Sequence, residues 1–356
     1  MAQQTIGSTP YDGPGQGSSQ DRSQAEREEL ARLYPPLPYH QLHRAGERGW
    51  WRSLVGTLLL VLGMVVVGPV VWLVPFVVGF VLDGRDVATE LESMLDLGDP
   101  TPLGLAYLML ALGSLIPITW FLTRVLHGLK PRWTTSVGPR LRWRWFAASF
   151  GIAVVALIAT LVVGVLLPSQ GVAPEPSTDV NEFTDRTLDF LLVVLLLTPL
   201  QAAGEEYAFR GYLTQALGGL FRSTWFAVLL PALVFALAHG VGQSLPVFFD
   251  RFAFGVVAGL LVVLTGGLEA PIAMHVLNNW LAFGLAIAFG DLGSSLNPTG
   301  GTWWSIPVTL TQSLVFLGLS VLVAPRMGVE THADPGVLVA SRGRVYGLPA
   351  APAGPR

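Results

Sequence analysis

Apolar runs alternate with polar stretches along most of the chain, and eight of them approach the roughly 20 residues that an α-helix needs to cross hydrocarbon. They lie near 53–82, 103–123, 145–167, 187–203, 224–240, 252–265, 271–290 and 305–324. The pattern predicts an all-α, polytopic transmembrane helical bundle of about eight spans. Two runs deviate from it. The run at 252–265 is short before Gly266-Gly267, and Pro69 and Pro75 interrupt the first, so kinks or partial crossings are expected there. The polar ends read differently. Residues 1–38, with GPGQGSSQDRSQ and then YPPLPY, and residues 327–356, rich in Gly, Pro, Ala and Arg, cannot bury enough apolar surface to offset the entropy of ordering. The expected organisation is a disordered tail over 1–50, N-terminal membrane helices over 51–186, a core over 187–290, a last membrane helix over 291–326 and a second disordered tail over 327–356.

Composition narrows the class. Of 356 residues, 51% are hydrophobic and 13% charged, with a mean hydropathy of +0.55. A soluble domain carries about a quarter charged residues. The formal net charge of −3 gives no reason to expect a nucleic-acid partner. The absence of cysteine excludes disulfides, thiolate nucleophiles and Cys-based zinc sites. No apolar secretory core precedes the first span, so that run reads as a membrane helix rather than a cleaved signal.

Basic residues set an expected orientation. Arg44, Arg48 and Arg52 precede the first span, and Arg124, Lys130, Arg132, Arg140, Arg142 and Arg144 surround the loop after the second, which places both regions on the cytoplasmic side of the cell membrane. The loops 83–101 and 168–186 are acidic. Eight crossings then return the C-terminus to the cytoplasm. Trp50, Trp51, Trp143, Trp145, Trp225, Trp303 and Trp304 fall near span ends, where amphipathic rings are favoured.

Against this background the interval 187–290 holds Glu205, Glu206, Arg210, His239, His275 and Asn279. A charge at membrane depth costs roughly 2.5–3.5 kcal/mol on insertion scales unless paired or shielded, so six such residues point to a polar site between helices. On a helix Glu206 and Arg210 share a face and can neutralise one another, whereas Glu205 lies about 100° round and faces something else. A poorly solvated carboxylate suits a general base. One structural ion-pair network is the competing reading for both acids. In Phe235-Ala-Leu-Ala-His239 the ring and the histidine share a face. His40, His43, His127 and His332 fall in tails or loops. His275 and Asn279, four apart, can aim two donors at one oxygen, as the oxyanion of amide hydrolysis requires; an interhelical polar clamp is the alternative. Gly255 and Gly259 form a small-xxx-small pair for close helix approach. Two histidines and a glutamate from three helices could hold zinc, but the H-E-x-x-H motif is absent and a carboxylate-activated water needs no metal, so a metal is not favoured and no cofactor is expected. No internal repeat is evident, which disfavours a transporter built from inverted repeats, although a proton relay would use the same acids.

Taken in order, Glu205-Glu206-x-x-x-Arg210, Phe235-x-x-x-His239 and His275-x-x-x-Asn279 resemble the signature of the CPBP family, the CAAX prenyl proteases type II together with bacteriocin-processing and abortive-infection proteins. The resemblance spans about residues 187–290. It implies an intramembrane, metal-independent glutamic endopeptidase in which Glu205 activates water with help from His239, His275 and Asn279 stabilise the oxyanion, and Glu206, Arg210 and Phe235 support the site. The partners it implies are a peptide or membrane-protein substrate and the lipid bilayer. A non-catalytic scaffold or immunity protein keeping this fold is the alternative. One geometric tension stands. Glu205 and His239 lie at similar distances from the turn at Gly218-Gly219, yet His275 lies near the start of its own span, and straight helices do not bring all three to one depth.

Overall fold

A computed structural model describes residues 36–47, 49–167, 179–240, 242–290, 292–296 and 303–334. The apolar runs fold as helices because nothing else satisfies backbone polar groups in hydrocarbon. In chain order these are α1 (Trp50–Leu82), α3 (Pro102–His127), α4 (Trp143–Leu166), α5 (Asp185–Phe221), α6 (Thr224–Ala238), α7 (Leu245–Thr265), α8 (Glu269–Phe289) and α10 (Ser305–Arg326). Two short helices, α2 (Val87–Leu95) and α9 (Leu292–Leu296), join them. Seven are long and apolar enough to cross a membrane, and α6 is a shorter apolar helix. The protein is therefore a multi-pass, all-helical membrane protein, with each of the eight expected runs represented by one helix.

Outward faces carry exposed Leu58, Val65, Val74, Ile158, Leu196 and Phe226. Apolar surface of that extent is stable against acyl chains and not against water. Inward, α4, α5, α6, α7, α8 and α10 share a core that includes Ala156, Tyr212, Phe235, Phe254, Met274 and Phe316. The Gly255–Gly259 pair does what its spacing suggests. A Cβ on Gly255 would come within 2.9 Å of the Ala232 Cβ, and one on Gly259 within 3.0 Å of Val228 Cγ1, so α7 lies directly against α6 only because both side chains are absent.

Three features depart from the sequence reading. First, α7 begins at Leu245, with Pro246 in its first turn, and not near 252. Asp250 and Arg251, which the expected run at 252–265 left outside, therefore lie inside a membrane helix. Second, residues 36–47 and 327–334 are folded although they read as tail. Leu37–Pro38 (β1) and His332–Ala333 (β2) pair antiparallel, and the 3-10 turn Tyr39–Ala45 buries Tyr39, His40, Leu42 and His43 against the end of α5. The His43 ring stacks on His127 at 3.8 Å, and His127 Nε2 lies 2.9 Å from the Tyr212 hydroxyl. These histidines are thus core residues. The remainder of both expected tails, 1–35 and 335–356, lies outside the described residues, as does Arg48.

Third, the stretch between α3 and α4 is not a free basic loop. Its Trp133, Thr134 and Ser136 are fully buried. The Val137 amide donates to Gly266 O and the Leu268 amide to Thr135 O, both at 2.9 Å. The α7–α8 turn is thereby covered by protein, and Leu268, Glu269 and Ala270 have no exposure at all. Helix α8 starts within the bundle. That removes the depth conflict, since His275, one and a half turns into α8, already lies at the level of the glutamates.

Candidate active site

Helix α5 carries the paired acids at the point where its winding changes. From Glu206 to Leu213 the backbone bonds run i→i+5, a π-helical turn, and such turns occur mostly as short insertions near functional positions. A wider turn leaves carbonyls poorly placed for ordinary helix bonds, and the Thr214 hydroxyl answers one of them by donating to Phe209 O at 3.1 Å. Upstream, Pro199 has no N–H to donate, and the Trp280 indole of α8 donates to the nearby Val194 carbonyl at 3.1 Å. The irregular stretch of α5 is thus held by neighbouring side chains.

Glu206 is fully buried and paired. Arg210 Nη1 donates to Glu206 Oε1 at 3.0 Å, and His275 Nδ1 lies 2.8 Å from the same oxygen. The guanidinium also sits over the Phe235 ring at 4.1 Å, with Phe254 and Phe209 further off. Its remaining N–H groups therefore face aromatic π-clouds, which attract cations.

Bond counting assigns protons. Glu206, ionised beside Arg210, can only accept, so His275 Nδ1 donates to it. The other ring nitrogen, Nε2, faces Glu205 Oε2 at 3.4 Å. Hence one ring links both acids. Glu205 makes no ion pair with Arg210 among the described residues and meets His275 instead. At the end of α6, His239 Nδ1 lies 2.8 Å from Phe235 O. A carbonyl only accepts, so Nδ1 carries the hydrogen and the neutral ring keeps Nε2 as a free base. The Phe235 ring packs edge-on to both histidines, with centroids at 4.6 Å from His239 and 6.1 Å from His275.

Asn279 is placed otherwise than expected. It lies one turn beyond His275, but its Nδ2 donates to Gln201 Oε1 at 3.0 Å, and His275 is engaged by the two glutamates. The two side chains are not aimed at a common point in this state. Among the described residues, the second N–H of the Asn279 amide has no acceptor.

Glu205, His239, His275 and Asn279 nevertheless line a single cavity of about 370 Å³. Leu105, Leu108, Met109 and Leu112 of α3 form an apolar wall, and Gln201, Asp250, Arg251 and Asn278 add polar groups. The sequence reading missed these four. Gln201 sits four residues before Glu205 and would have been found by following the same helical face. Asp250 and Arg251 were hidden by the late boundary given to α7. A second buried ion pair was missed as well. Arg142 Nη2 meets Glu269 Oε2 at 2.7 Å, and Arg142 also donates to Thr265 O and Glu330 O, tying α4, α7 and α8 together. Among the described residues no group of three or more His, Asp or Glu is arranged to hold a metal ion.

Comparison with known proteins places this cavity in context. Residues 187–281 match the family model of type II CAAX prenyl endopeptidases, Rce1-like. The chain is 27% identical over 289 residues to an uncharacterized protein, YyaK, of Bacillus subtilis (strain 168), an alignment covering 78% of this chain and 93% of that one. It is 33% identical over 140 residues to the membrane-embedded CAAX protease MroQ of Staphylococcus aureus (strain USA300), covering 37% of this chain and 54% of that protein. An uncharacterized 24.3 kDa protein of Escherichia coli is 28% identical over 125 residues, 34% of this chain and 58% of that one. No solved structure gives a significant match.

Proposed function

We propose, on the premise that residues 187–281 form an Rce1-like type II CAAX prenyl endopeptidase core, that the protein hydrolyses a peptide bond within the cell membrane by a metal-free, glutamate-based route. The observation that carries this reading is the convergence of Glu205, His239, His275 and Asn279 on one cavity. Water bound there donates a proton to Glu205 and attacks the scissile carbonyl. The developing oxyanion is stabilised by the Asn279 N–H and by His275 beside it. The Nε2 of His239, a free base in the neutral ring, aligns the water by accepting its second O–H, and Glu205 then passes the proton it has taken to the departing amine. Glu206 and Arg210 fix the His275 tautomer, and Phe235 holds both imidazoles in place. The substrate is a peptide or a membrane-protein segment, and both termini of the enzyme face the cytoplasm.

The test is a reporter cleaved in membranes. Glu205→Gln keeps the shape and removes the base, and His239→Ala removes the second base. Each is expected to lower the rate by about 10²–10⁴-fold, the usual contribution of a positioned base, with the melting temperature nearly unchanged. Full activity in Glu205→Gln would overturn the proposal. The Gln201–Asn279 bond favours a second reading, a non-catalytic scaffold that binds a peptide in the same cavity, and under that reading the wild type binds the reporter without cutting it.

A further inference from the structure

Among the described residues, Arg251 on the cavity differs from the ion-paired arginines of the bundle. Arg210 pairs with Glu206 and Arg142 with Glu269. Arg251 lines the cavity from α7 and forms no ion pair among the described residues. Its Nε is enclosed without a hydrogen-bond partner, and so is Oδ1 of the neighbouring Asp250. Adjacent residues on a helix diverge by about 100°, so the two flank the cavity and do not close on each other. Asp250 and Glu205 are both close enough for their charges to act on Arg251, yet among the described residues neither makes an ion pair with it.

A guanidinium with no direct ion pair and an enclosed, unbonded Nε is costly at this depth. We propose that Arg251 is a specificity residue that binds a carboxylate of the substrate peptide and so sets which bond lies over Glu205. The inference rests on the hydrolytic reading of the same cavity. The chemistry fits a carboxylate best. The planar guanidinium offers two parallel donors to its two oxygens. A single cation with Asp250 and Glu205 close by disfavours a doubly charged group such as a phosphate monoester. The α3 wall of Leu105, Leu108, Met109 and Leu112 offers the rest of the peptide an apolar surface. The carboxylate comes either from a chain end or from an acidic side chain.

Binding separates these possibilities. Three fluorescent apolar pentapeptides built of Leu, Val and Ala are titrated onto the full chain carrying Glu205→Gln: a free acid, its C-terminal amide, and the amide with one glutamate introduced. The free acid, the glutamate peptide or both are expected to bind at least about tenfold more tightly than the plain amide, the range of a charged hydrogen-bonded pair. Which of them does so identifies the source of the carboxylate. Adding Arg251→Gln should shrink the difference below about twofold while leaving amide binding unchanged. Should that variant fail to fold, Arg251→Lys, which keeps the charge and loses the fork, is expected to retain only part of the preference. Equal weakening of acid and amide, or no preference in the parent, overturns the proposal. Hydrolysis of the free acid by the wild type is measured separately, so failure of catalysis and failure of the anchor are different results.

Discussion

Arg210 and Glu206 offer a direct measure of how much a buried ion pair matters in this bundle. The pair is 3.0 Å apart with side chains 1% and 0% exposed. Arg186 and Asp99 have the same separation, 3.0 Å, with side chains 55% and 81% exposed. Distance is thus constant and burial is the variable. Arg210→Met leaves the Glu206 carboxylate with the His275 N–H, and Glu206→Gln leaves the guanidinium with the aromatic faces and the more distant Glu205 charge. Breaking one side of a buried pair costs about 3–5 kcal/mol, because the remaining charge is stranded. The double variant strands nothing. Its cost should fall to about 3 kcal/mol or less, composed of the lost cation–π contact and imperfect packing. The coupling in the double-mutant cycle is therefore expected to be about 3 kcal/mol or more, against about 1 kcal/mol or less for the same cycle at Arg186 and Asp99. Unfolding equilibria of the purified protein in detergent supply the four free energies for each cycle. Equal coupling at the two pairs would refute the claim that burial makes the Glu206–Arg210 pair a structural requirement of the site.

Other outcomes follow from the same geometry. A Cβ on Gly204 would overlap the Leu112 carbonyl, which is backbone and cannot give way. Gly204→Val should therefore destabilise by about 1–3 kcal/mol or more and move α3 from the cavity, whereas Gly284→Ala, with open space around it, should leave thermal unfolding unchanged or slightly raised. Gln201→Leu removes the acceptor for Asn279, and a fall of roughly tenfold to a hundredfold in kcat with little change in KM would mark a positioning role; an unchanged kcat would remove Gln201 from the mechanism. The fourth outcome concerns pH. Burial, and His127 beside it, hold the His43 pKa well below the ordinary imidazole value. The folded state thus keeps His43 neutral, while the unfolded chain takes up a proton below about pH 6.5. Stability contributed there is complete above that pH and declines as pH falls. His43→Phe, which retains a stacking ring, should flatten the acid limb of melting temperature against pH, and an unchanged limb would exclude His43 as its source.

The membrane bundle was legible because the helical requirement in hydrocarbon is severe and leaves a long apolar signature. The ion pair Glu206–Arg210 was legible because a spacing of four on one helix is local information. What escaped was set by contacts between elements. Asp250 and Arg251 read as the edge of a span, since charge in an apolar run looks like its end. His43 and His127 read as loop residues, since nothing local announces that a 3-10 turn will stack on the end of α5. The buried 131–137 stretch was least accessible of all. Its basic flanks suggested a cytoplasmic loop, and only Arg142 bonding to Glu269, Thr265 and Glu330 shows how that charge enters the protein.

That loop also explains why the site sits where it does. A helix that starts at the membrane surface presents its first residues to water, where a histidine would titrate with bulk pH and a glutamate would hydrate. Sinking the α7–α8 turn under Trp133 and Thr134 moves the first turns of α8 into the bundle, and the cost is a buried Glu269 that must find a cation. Arg142 meets that need with three bonds to the Glu269 carboxylate. The consequence reaches His275, which meets both Glu205 and Glu206 from the beginning of its helix, something a conventional loop and a straight span would not allow. The Arg142–Glu269 pair is therefore coupled to the geometry of the cavity although neither residue lines it, and its loss should displace His275 before it unfolds the bundle.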